Sequence, residues 1–512
     1  MVDTSHLSLR ANSLIVSVGA VARLVVSLIS IPLLVRFLGL DLYGVWVVLN
    51  SVILIAGLME LGLSMALTNY LSADYARQDW TSASQSVTTS FVLVTCLGGL
   101  TSVGLWLAHS LIVRALFLED SHRMEALLAL GVISWLLLLR FWQQWAMAAE
   151  AALLRYDIQA VVETASAIIM QIGVMLFALV GSSLWVLAAW SLVVTGGSVL
   201  VHCLVLRRLF YGRFLRFRYS RQTANVLLRF GATQWLANLG ATLFGYGDRI
   251  IINLFFGSGV AGLYSAATSI AIQINTLSAF PLRVLPPAIS AAKVLFQYSR
   301  IRQIFIHSTR LNGLLVVLIS APIFFWAPQL SNLLVGAEYA TLTAEILRTI
   351  AFAYGLYSLG AAGFFSALGV GFPVINAQWG IIGSLFSLLM MVALAVWAGL
   401  KGAVWGNIGY ALVLIINFKL IKIIDLDYRD YLKTFCPSII TVFVWWLLSI
   451  YANIDILPAW ALILLFFLLV ISSIVFVSGV TFLKYIIDMV FEIYKTGVLP
   501  IISQIIKFFS RG

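Results

Sequence analysis

The chain has 512 residues, of which 62% are hydrophobic and 10% charged, with a formal net charge of +11. Soluble domains run at roughly 45–50% apolar and about 25% charged residues, so this composition excludes an ordinary soluble protein and points to an integral membrane protein. Cys96, Cys203 and Cys436 are far apart in apolar surroundings, and His6, His109, His122, His202 and His307 are scattered, so neither a disulfide framework nor metal-ligand spacing is present.

A membrane-crossing helix needs about 20 mostly apolar residues, and fourteen segments meet that rule. The first six lie near 14–37, 43–69, 87–109, 126–147, 158–180 and 184–206. The next six lie near 226–256, 260–284, 311–335, 344–368, 373–398 and 402–422, and a last pair near 436–452 and 459–483. The first apolar run follows MVDTSHLSLR and has no small-residue cleavage signal, so it is expected to be a retained helix rather than a removed leader. In the tail, LPIISQIIKFFSRG, Ile501, Ile502, Ile505, Ile506, Phe508 and Phe509 share one helical face while Ser503, Gln504 and Lys507 share the other. That pattern suits a helix lying on the membrane surface.

Lysine and arginine bias sets the expected orientation. The loop after the sixth span, RRLFYGRFLRFRYSR, holds Arg207, Arg208, Arg213, Arg216, Arg218 and Arg221 with no acid. Lys293, Arg300, Arg302 and Arg310 after the eighth span, and Lys419, Lys422, Arg429 and Lys433 after the twelfth, belong on the same side. An even number of spans then places both termini in the cytoplasm of a multi-pass protein. Topology accounts for this basic charge, so no nucleic-acid partner is read from it.

FLGLDLYGVW at 37–46 aligns with FFGSGVAGLY at 255–264 at an offset of 218, matching Gly39 to Gly257, Gly44 to Gly262, Trp46 to Tyr264 and, further on, Ser51 to Ser269. Both stretches fall at the turn between the first two helices of a six-helix set, which is the mark of a duplicated bundle. The expected organisation is an N-lobe at 1–206, a basic cytoplasmic linker at 207–225, a C-lobe at 226–425, helices 13 and 14 within 426–484, and an amphipathic tail at 485–512.

The chain lacks a GxxxxGK[ST] phosphate loop, HExxH and GxSxG, so it is not read as an enzyme or as an ATP-driven pump. What carries function is the set of ionisable residues inside spans: Arg23, Glu60, Arg140, Glu163, Asp248, Arg249 and Arg348. Such residues face a bundle interior or a wet cavity and pair with one another. Glu60 and Arg23, in neighbouring helices, are suited to a simple ion pair. Asp248 and Arg249 point about 100° apart on a helix and are expected to reach different neighbours. Four arginines against three acids favour an anionic substrate, because guanidinium stays charged and grips phosphate with paired donors. Gln143, Gln144, Trp145, Gln171, Gln234, Trp235, Asn238, Tyr246, Gln273 and Asn275 supply candidates for a hydrated sugar path, while Pro32, Pro281, Pro322 and Pro373 are candidate bending points.

RFLGLDLYGVWVVLNSVILIAGLMELGLSMAL, with its LG-x4-G turn followed by an acidic-Leu-Gly-Leu stretch, resembles the opening of the bacterial polysaccharide exporters and O-antigen flippases. GDRIIINLFFGSGVAGLYSAATSI resembles the same family's seventh-to-eighth helix signature. These exporters belong to the multidrug/oligosaccharidyl-lipid/polysaccharide (MOP) superfamily, and aspartate is common there at the position of Glu60. The resemblance implies an all-α membrane fold of about fourteen helices, in two pseudo-repeated six-helix lobes like those of multidrug (MATE) exporters, plus a C-terminal pair. It also implies alternating access that moves an undecaprenyl-diphosphate-linked oligosaccharide across the inner membrane, with the bilayer and the polysaccharide polymerase machinery as partners. No cofactor is implied beyond an H+ or Na+ gradient. Arg23, Arg140, Arg249 and Arg348 become the candidates for lipid-phosphate and glycan contact, and Glu60, Glu163 and Asp248 for ion coupling or helix pairing. A lipid II flippase shares the cationic cavity, and a multidrug cation antiporter shares the superfamily but would want twelve spans and an acid-rich cavity. A non-transport scaffold for the polymerase is the remaining reading.

Overall fold

The structure is a computed structural model that describes residues 9–117, 122–210 and 218–451. Its elements are all helical among the described residues. The first eight helices are α1 (Leu9–Leu38), α2 (Leu40–Ala56), α3 (Leu63–Ala76), α4 (Trp80–Leu116), α5 (Arg123–Ile133), α6 (Leu136–Ala152), α7 (Tyr156–Leu179) and α8 (Leu184–Leu209). They are followed by α9 (Arg221–Ala279), α10 (Leu285–Val294), α11 (Tyr298–Phe325), α12 (Ala327–Val335) and α13 (Ala337–Ser358). The last are α14 (Ala361–Val370), α15 (Pro373–Trp405), α16 (Ile415–Ile424) and α17 (Tyr428–Tyr451).

Ten stretches among the described residues are long and apolar enough to cross a membrane. Two of them, Leu239–Val294 and Pro373–Ile424, each cover two of the spans expected from the sequence. Each bends at a glycine: Gly257 has φ 84° and ψ 171°, and Gly399 has φ 63° and ψ −148°. These angles need no Cβ. The first expected span coincides with α1. The fourteenth expected span and the amphipathic tail lie outside the described residues. Pro32 and Pro322 lie inside α1 and α11, and Pro281 lies in the 3-10 segment Phe280–Val284. Pro373 instead starts α15. A proline at a first-turn position removes no helix bond, so Pro373 is not a bending point.

The backbone repeats at the offset seen in the sequence. Gly39, before α2, has φ 80° and ψ 163°, close to the angles of Gly257. At the next reversal Gln78 has φ 58° and Phe296 φ 55°. Around them the hydrogen bonds Gln78 N to Tyr75 O and Asp79 N to Asp74 O match Phe296 N to Lys293 O and Gln297 N to Ala292 O, all at 2.9–3.1 Å. A polar Gln78 and an apolar Phe296 therefore occupy one backbone state, because the turn is fixed by main-chain bonding rather than by side-chain type.

The chain divides into two compact units, Met1–Ser265 and Ala266–Gly512. The division falls inside α9, so the first arm of that helix groups with α1–α8. Glycine contacts explain the grouping. A Cβ on Gly44 would collide with the carbonyl oxygen of Ser258, and one on Gly262 would stand 3.0 Å from Leu40 O. Leu40 and Ser258 are themselves repeat mates, so the two equivalent turns cross reciprocally, main chain on main chain. At the other end a Cβ on Gly62 would press on the backbone of Gly231, and one on Gly231 on Leu61 O.

Within the first unit, Leu67, Leu71, Ala83, Val87, Ala149 and Leu206 form a dry cluster that ties α3, α4, α6 and α8 together. Within the second, α17 packs on α11 through stacked Phe305 and Tyr431 rings (5.8 Å) and through Phe325 with Trp445 (6.0 Å). Phe352 stacks on Trp446 at 4.9 Å, and Trp405 meets Trp446 edge-on. The helix expected as the thirteenth span is thus built into the core of the second unit.

Candidate functional site

The acidic-Leu-Gly-Leu stretch is where a crossing helix breaks. After α2 the chain tightens into the 3-10 turn Gly57–Glu60, then Leu61 (φ 55°, ψ 28°) and Gly62 (φ 70°, ψ 18°) take two successive left-handed conformations before α3 starts. Glycine carries the second at little cost, whereas leucine in that region costs about 1–2 kcal/mol, so the break must be held by its surroundings. The Gly62–Gly231 contact is one such restraint. The break leaves the first N–H groups of α3 without helical partners, and Glu60 answers them: its Oε1 accepts from Ser64 N at 2.5 Å. An acid at a helix N-terminus also gains from the helix dipole. Glu60 is buried, with 8% of its surface exposed.

Glu60 and Arg140 line a cavity of about 250 Å³ together with Gln144, Trp235, Thr242 and the apolar edge of α2. Helix α6 delivers Arg140 and Gln144 one turn apart, so both face the same space. The other faces of α6 are pinned: Gln143 Nε2 donates to Ser198 Oγ at 2.8 Å, Trp142 Nε1 to Thr95 Oγ1 at 2.9 Å and Trp145 Nε1 to Ser90 Oγ at 3.0 Å. Of the polar residues nominated from the sequence as a sugar path, Gln144 and Trp235 line this cavity, whereas Gln143 and Trp145 fasten helices. The geometry offers one guanidinium, one carboxylate, an amide and an indole around a space of a few water molecules or one small anionic group.

Two of the other nominated groups hold helices to each other. Arg23 does not reach Glu60. Its Nη1 lies 3.2 Å from Glu163 Oε2 and donates to Thr164 Oγ1 at 3.3 Å, joining α1 to α7. The expected Arg23–Glu60 pair is therefore replaced by Arg23–Glu163, because the helix break turns Glu60 onto the start of α3.

Asp248 and Arg249 are placed at the bend of α9. Asp248 is fully buried; its Oδ2 accepts from the Tyr264 hydroxyl at 2.8 Å and its Oδ1 from Arg249 N at 2.7 Å. Arg249 donates from Nε to Ser265 Oγ at 3.2 Å and from Nη1 to Gly245 O, and its guanidinium lies 5.4 Å over the Tyr246 ring. The two side chains do reach different neighbours, and those neighbours stand on both arms of α9. The pair clamps the arms across Gly257: Asp248 is a fully buried, bonded carboxyl, and Arg249, nominated for substrate contact, is nearly buried and makes these bonds within the bend. Arg348 lies in the second unit and donates from Nε to Phe324 O, at the end of α11, at 3.4 Å. There it complements the negative end of that helix.

One buried pair escaped the sequence reading. His202 Nδ1 and Glu150 Oε1 are 2.9 Å apart, and both side chains are wholly buried between α6 and α8. Neither residue stands in a motif, and a single His in an apolar run usually packs without a charged partner. The signal available was Glu150 itself, an acid in the run AMAAEAALL. Among the described residues no group of three metal-ligating side chains occurs.

Comparison with known proteins adds family and fold. Residues 33–344 match the family described as polysaccharide biosynthesis protein. No curated protein matches the sequence. Among solved structures, a lipid II flippase, MurJ, in an inward closed conformation is similar with a TM-score of 0.69 at 13% identity, covering 92% of this chain and 100% of that one. An inward-facing MATE-family multidrug resistance transporter of the MOP superfamily gives a TM-score of 0.66 at 15% identity, covering 79% and 98%. A MATE structure in complex with MaL6 gives 0.59 at 14%, covering 81% and 96%. The chain shares its fold with these transporters, and with ten membrane-crossing stretches among the described residues it is a multi-pass membrane protein.

Proposed function

We propose that this chain, which belongs to the polysaccharide biosynthesis protein family, is a flippase moving an undecaprenyl-diphosphate-linked oligosaccharide across the bacterial inner membrane by alternating access. The observation that carries the proposal is the cavity lined by Arg140, Gln144, Trp235 and Glu60. A diphosphate with its sugars cannot cross hydrocarbon alone, because burying unpaired charge and hydroxyls is prohibitive. Arginine answers phosphate with paired, permanently charged donors, an amide serves hydroxyls, and an indole offers a flat apolar face to a sugar ring. The polyprenyl tail stays in lipid.

Within this reading the repeat unit is an O-antigen or a related polysaccharide unit, both termini are cytoplasmic, and the polymerase machinery receives the product. Glu60, on the cavity wall, is the group best placed to couple flipping to an H+ or Na+ gradient. Arg23, Arg249 and Arg348 act through helix positions. A lipid II flippase is the second reading, favoured by the likeness over nearly the whole chain to a lipid II flippase. A cation antiporter is disfavoured, because the cavity carries arginine.

The test is surface polysaccharide, read as a gel ladder, in a deletion strain carrying the wild-type chain, Arg140→Ala or Arg140→Lys at equal membrane expression. Loss of the ladder on deletion, restored by wild type and not by Arg140→Ala, supports the flippase. An unchanged ladder on deletion sinks the O-antigen reading, and lethal deletion turns it toward lipid II.

A further inference from the structure

We infer that the tip joining α10 to α11, with the adjoining turn between α14 and α15, is a lipid-binding corner that enters the headgroup layer and collects anionic phospholipid. Val294, Leu295 and Phe296 are 76%, 62% and 78% exposed, and Phe372 and Val374 at the second turn are exposed as well. Lys293 joins the two turns: its Nζ donates to Val370 O at 2.7 Å and lies 5.8 Å over the Phe372 ring. Beside it Ser290 Oγ donates to Gly369 O at 2.9 Å, and a Cβ on Gly369 would stand 2.8 Å from that of Ile289. The two turns therefore form one apolar surface with a cation at its centre.

The repeat isolates what is special here. At the offset of 218, Ala76, Arg77, Gln78 and Asp79 of the first unit correspond to Val294, Leu295, Phe296 and Gln297. Main-chain bonding fixes both turns alike, so the fold does not require apolar side chains at this one. A contiguous exposed apolar patch marks a contact surface. Charge differs too, since no acid occurs in 285–310 or 369–378. Lys293 and Arg300 are held by a carbonyl and by the Gln297 amide oxygen, not by acids, whereas Arg302 pairs with Asp425.

Reach decides the occupant. Leu239–Val294 and Tyr298–Phe325 are both long and apolar enough to cross a membrane, and only Leu295, Phe296 and Gln297 separate them. Ala337–Val370 and Pro373–Ile424 likewise leave only Gly371 and Phe372 between them. Linkers this short hold the corner at the level of the headgroups, a layer about 5–8 Å thick on each side of the hydrocarbon, and do not carry it out to a soluble protein. The exposed face of α10 offers only small residues, Pro287, Ala288, Ser290 and Ala291, so entry is by the bulky tip and not by a helix lying flat. Leu295 and Phe296 then reach the acyl boundary, Lys293 extends its ammonium to phosphate from an apolar stem, and Arg300 offers phosphate paired donors. A bilayer bearing anionic lipid attracts such a corner through its surface potential. None of this depends on the flippase reading.

The test uses the full-length chain, with Cys96, Cys203 and Cys436 replaced by alanine, in nanodiscs of phosphatidylcholine and phosphatidylglycerol. A bimane fluorophore is attached in Leu295→Cys or, at its repeat mate, in Arg77→Cys; both positions are exposed. Doxyl-labelled lipid should quench the Leu295→Cys label, and the neutral aqueous quencher acrylamide the Arg77→Cys label. A cation near the surface favours anionic lipid roughly fivefold, so doxyl-phosphatidylglycerol should quench the Leu295→Cys label several-fold more than doxyl-phosphatidylcholine at the same mole fraction. Arg300→Gln, which leaves the Lys293–Val370 bond intact, should lower that preference. Equal acrylamide quenching at the two positions overturns membrane entry and leaves the tip to a protein partner. Equal quenching by the two lipids, or a preference unmoved by Arg300→Gln, overturns the anionic-lipid site.

Discussion

Tyr264→Phe removes one oxygen and nothing else from the bend of α9. Tyr264 and Asp248 are both fully buried, and the Tyr264 hydroxyl is the donor to Asp248 Oδ2 at 2.8 Å. Loss of a hydrogen bond to a charged buried group costs about 1.5–3 kcal/mol, because the carboxylate oxygen is left in a place that water does not reach. The ring packing is unchanged, so no cavity term is added. Asp248→Asn supplies the control: with a neutral amide in place of the carboxylate, losing the same hydroxyl should cost only about 0.5–1.5 kcal/mol, the range for neutral bonds. The double-mutant cycle therefore predicts a coupling on the order of 1 kcal/mol. Reversible unfolding of the full-length chain in bicelles by steric trapping measures all four species. A Tyr264→Phe cost below about 0.5 kcal/mol, under the range for even a neutral bond, or strictly additive effects, would refute the clamp.

Gly62→Ala should be worse than an ordinary surface change: the left-handed backbone costs about 1–2 kcal/mol for a residue with a Cβ, and that Cβ meets the backbone of Gly231, which cannot swing away. Reduced membrane expression or a lowered melting temperature checks it. Glu60→Gln retains an oxygen for Ser64 N, so its stability cost should stay within about 1 kcal/mol, the size of a helix-dipole term; a large export loss with normal folding then assigns the defect to the missing charge. The Arg23–Glu163 pair has side chains 28% and 43% exposed, so its double-mutant coupling should be only about 0.2–1 kcal/mol. Asp79 caps α4 by accepting from Ser82 N and Thr81 N, and these bonds, the Ser82 one first, hold its carboxyl below the usual range. A depressed carboxylate stabilises the fold above its unfolded pKa and loses that contribution as pH falls through the lowered value. Asp79→Asn keeps an acceptor and should remove the acid-dependent part of thermal stability between about pH 4 and the lower folded value; identical pH profiles for the two proteins would contradict it.

The repeat shows how local information reached the fold. Gly39 and Gly257, matched from sequence alone, adopt nearly the same φ and ψ, since a turn that only glycine enters easily leaves its mark in any single chain. Spans were legible for the same reason: length and hydropathy are properties of a continuous segment. Charge in an apolar run was legible as exceptional, and Arg140 and Glu60 do share a cavity. Partnership was not legible. Whether Arg23 meets Glu60 or Glu163 depends on which way a broken helix turns its acid, and the break at Leu61 and Gly62 is held in part by Gly231, far along the chain. The partners of Asp248 and Arg249 were not legible either, because adjacency in sequence says nothing about Tyr264 and Ser265 arriving across the bend. Glu150 and His202 are 52 positions apart. Residue type and spacing thus determined that this is a duplicated membrane bundle with charge inside it. Only tertiary packing, which brings distant polar atoms within 3 Å of one another or leaves them orphaned, decided which charges fasten helices and which face open space.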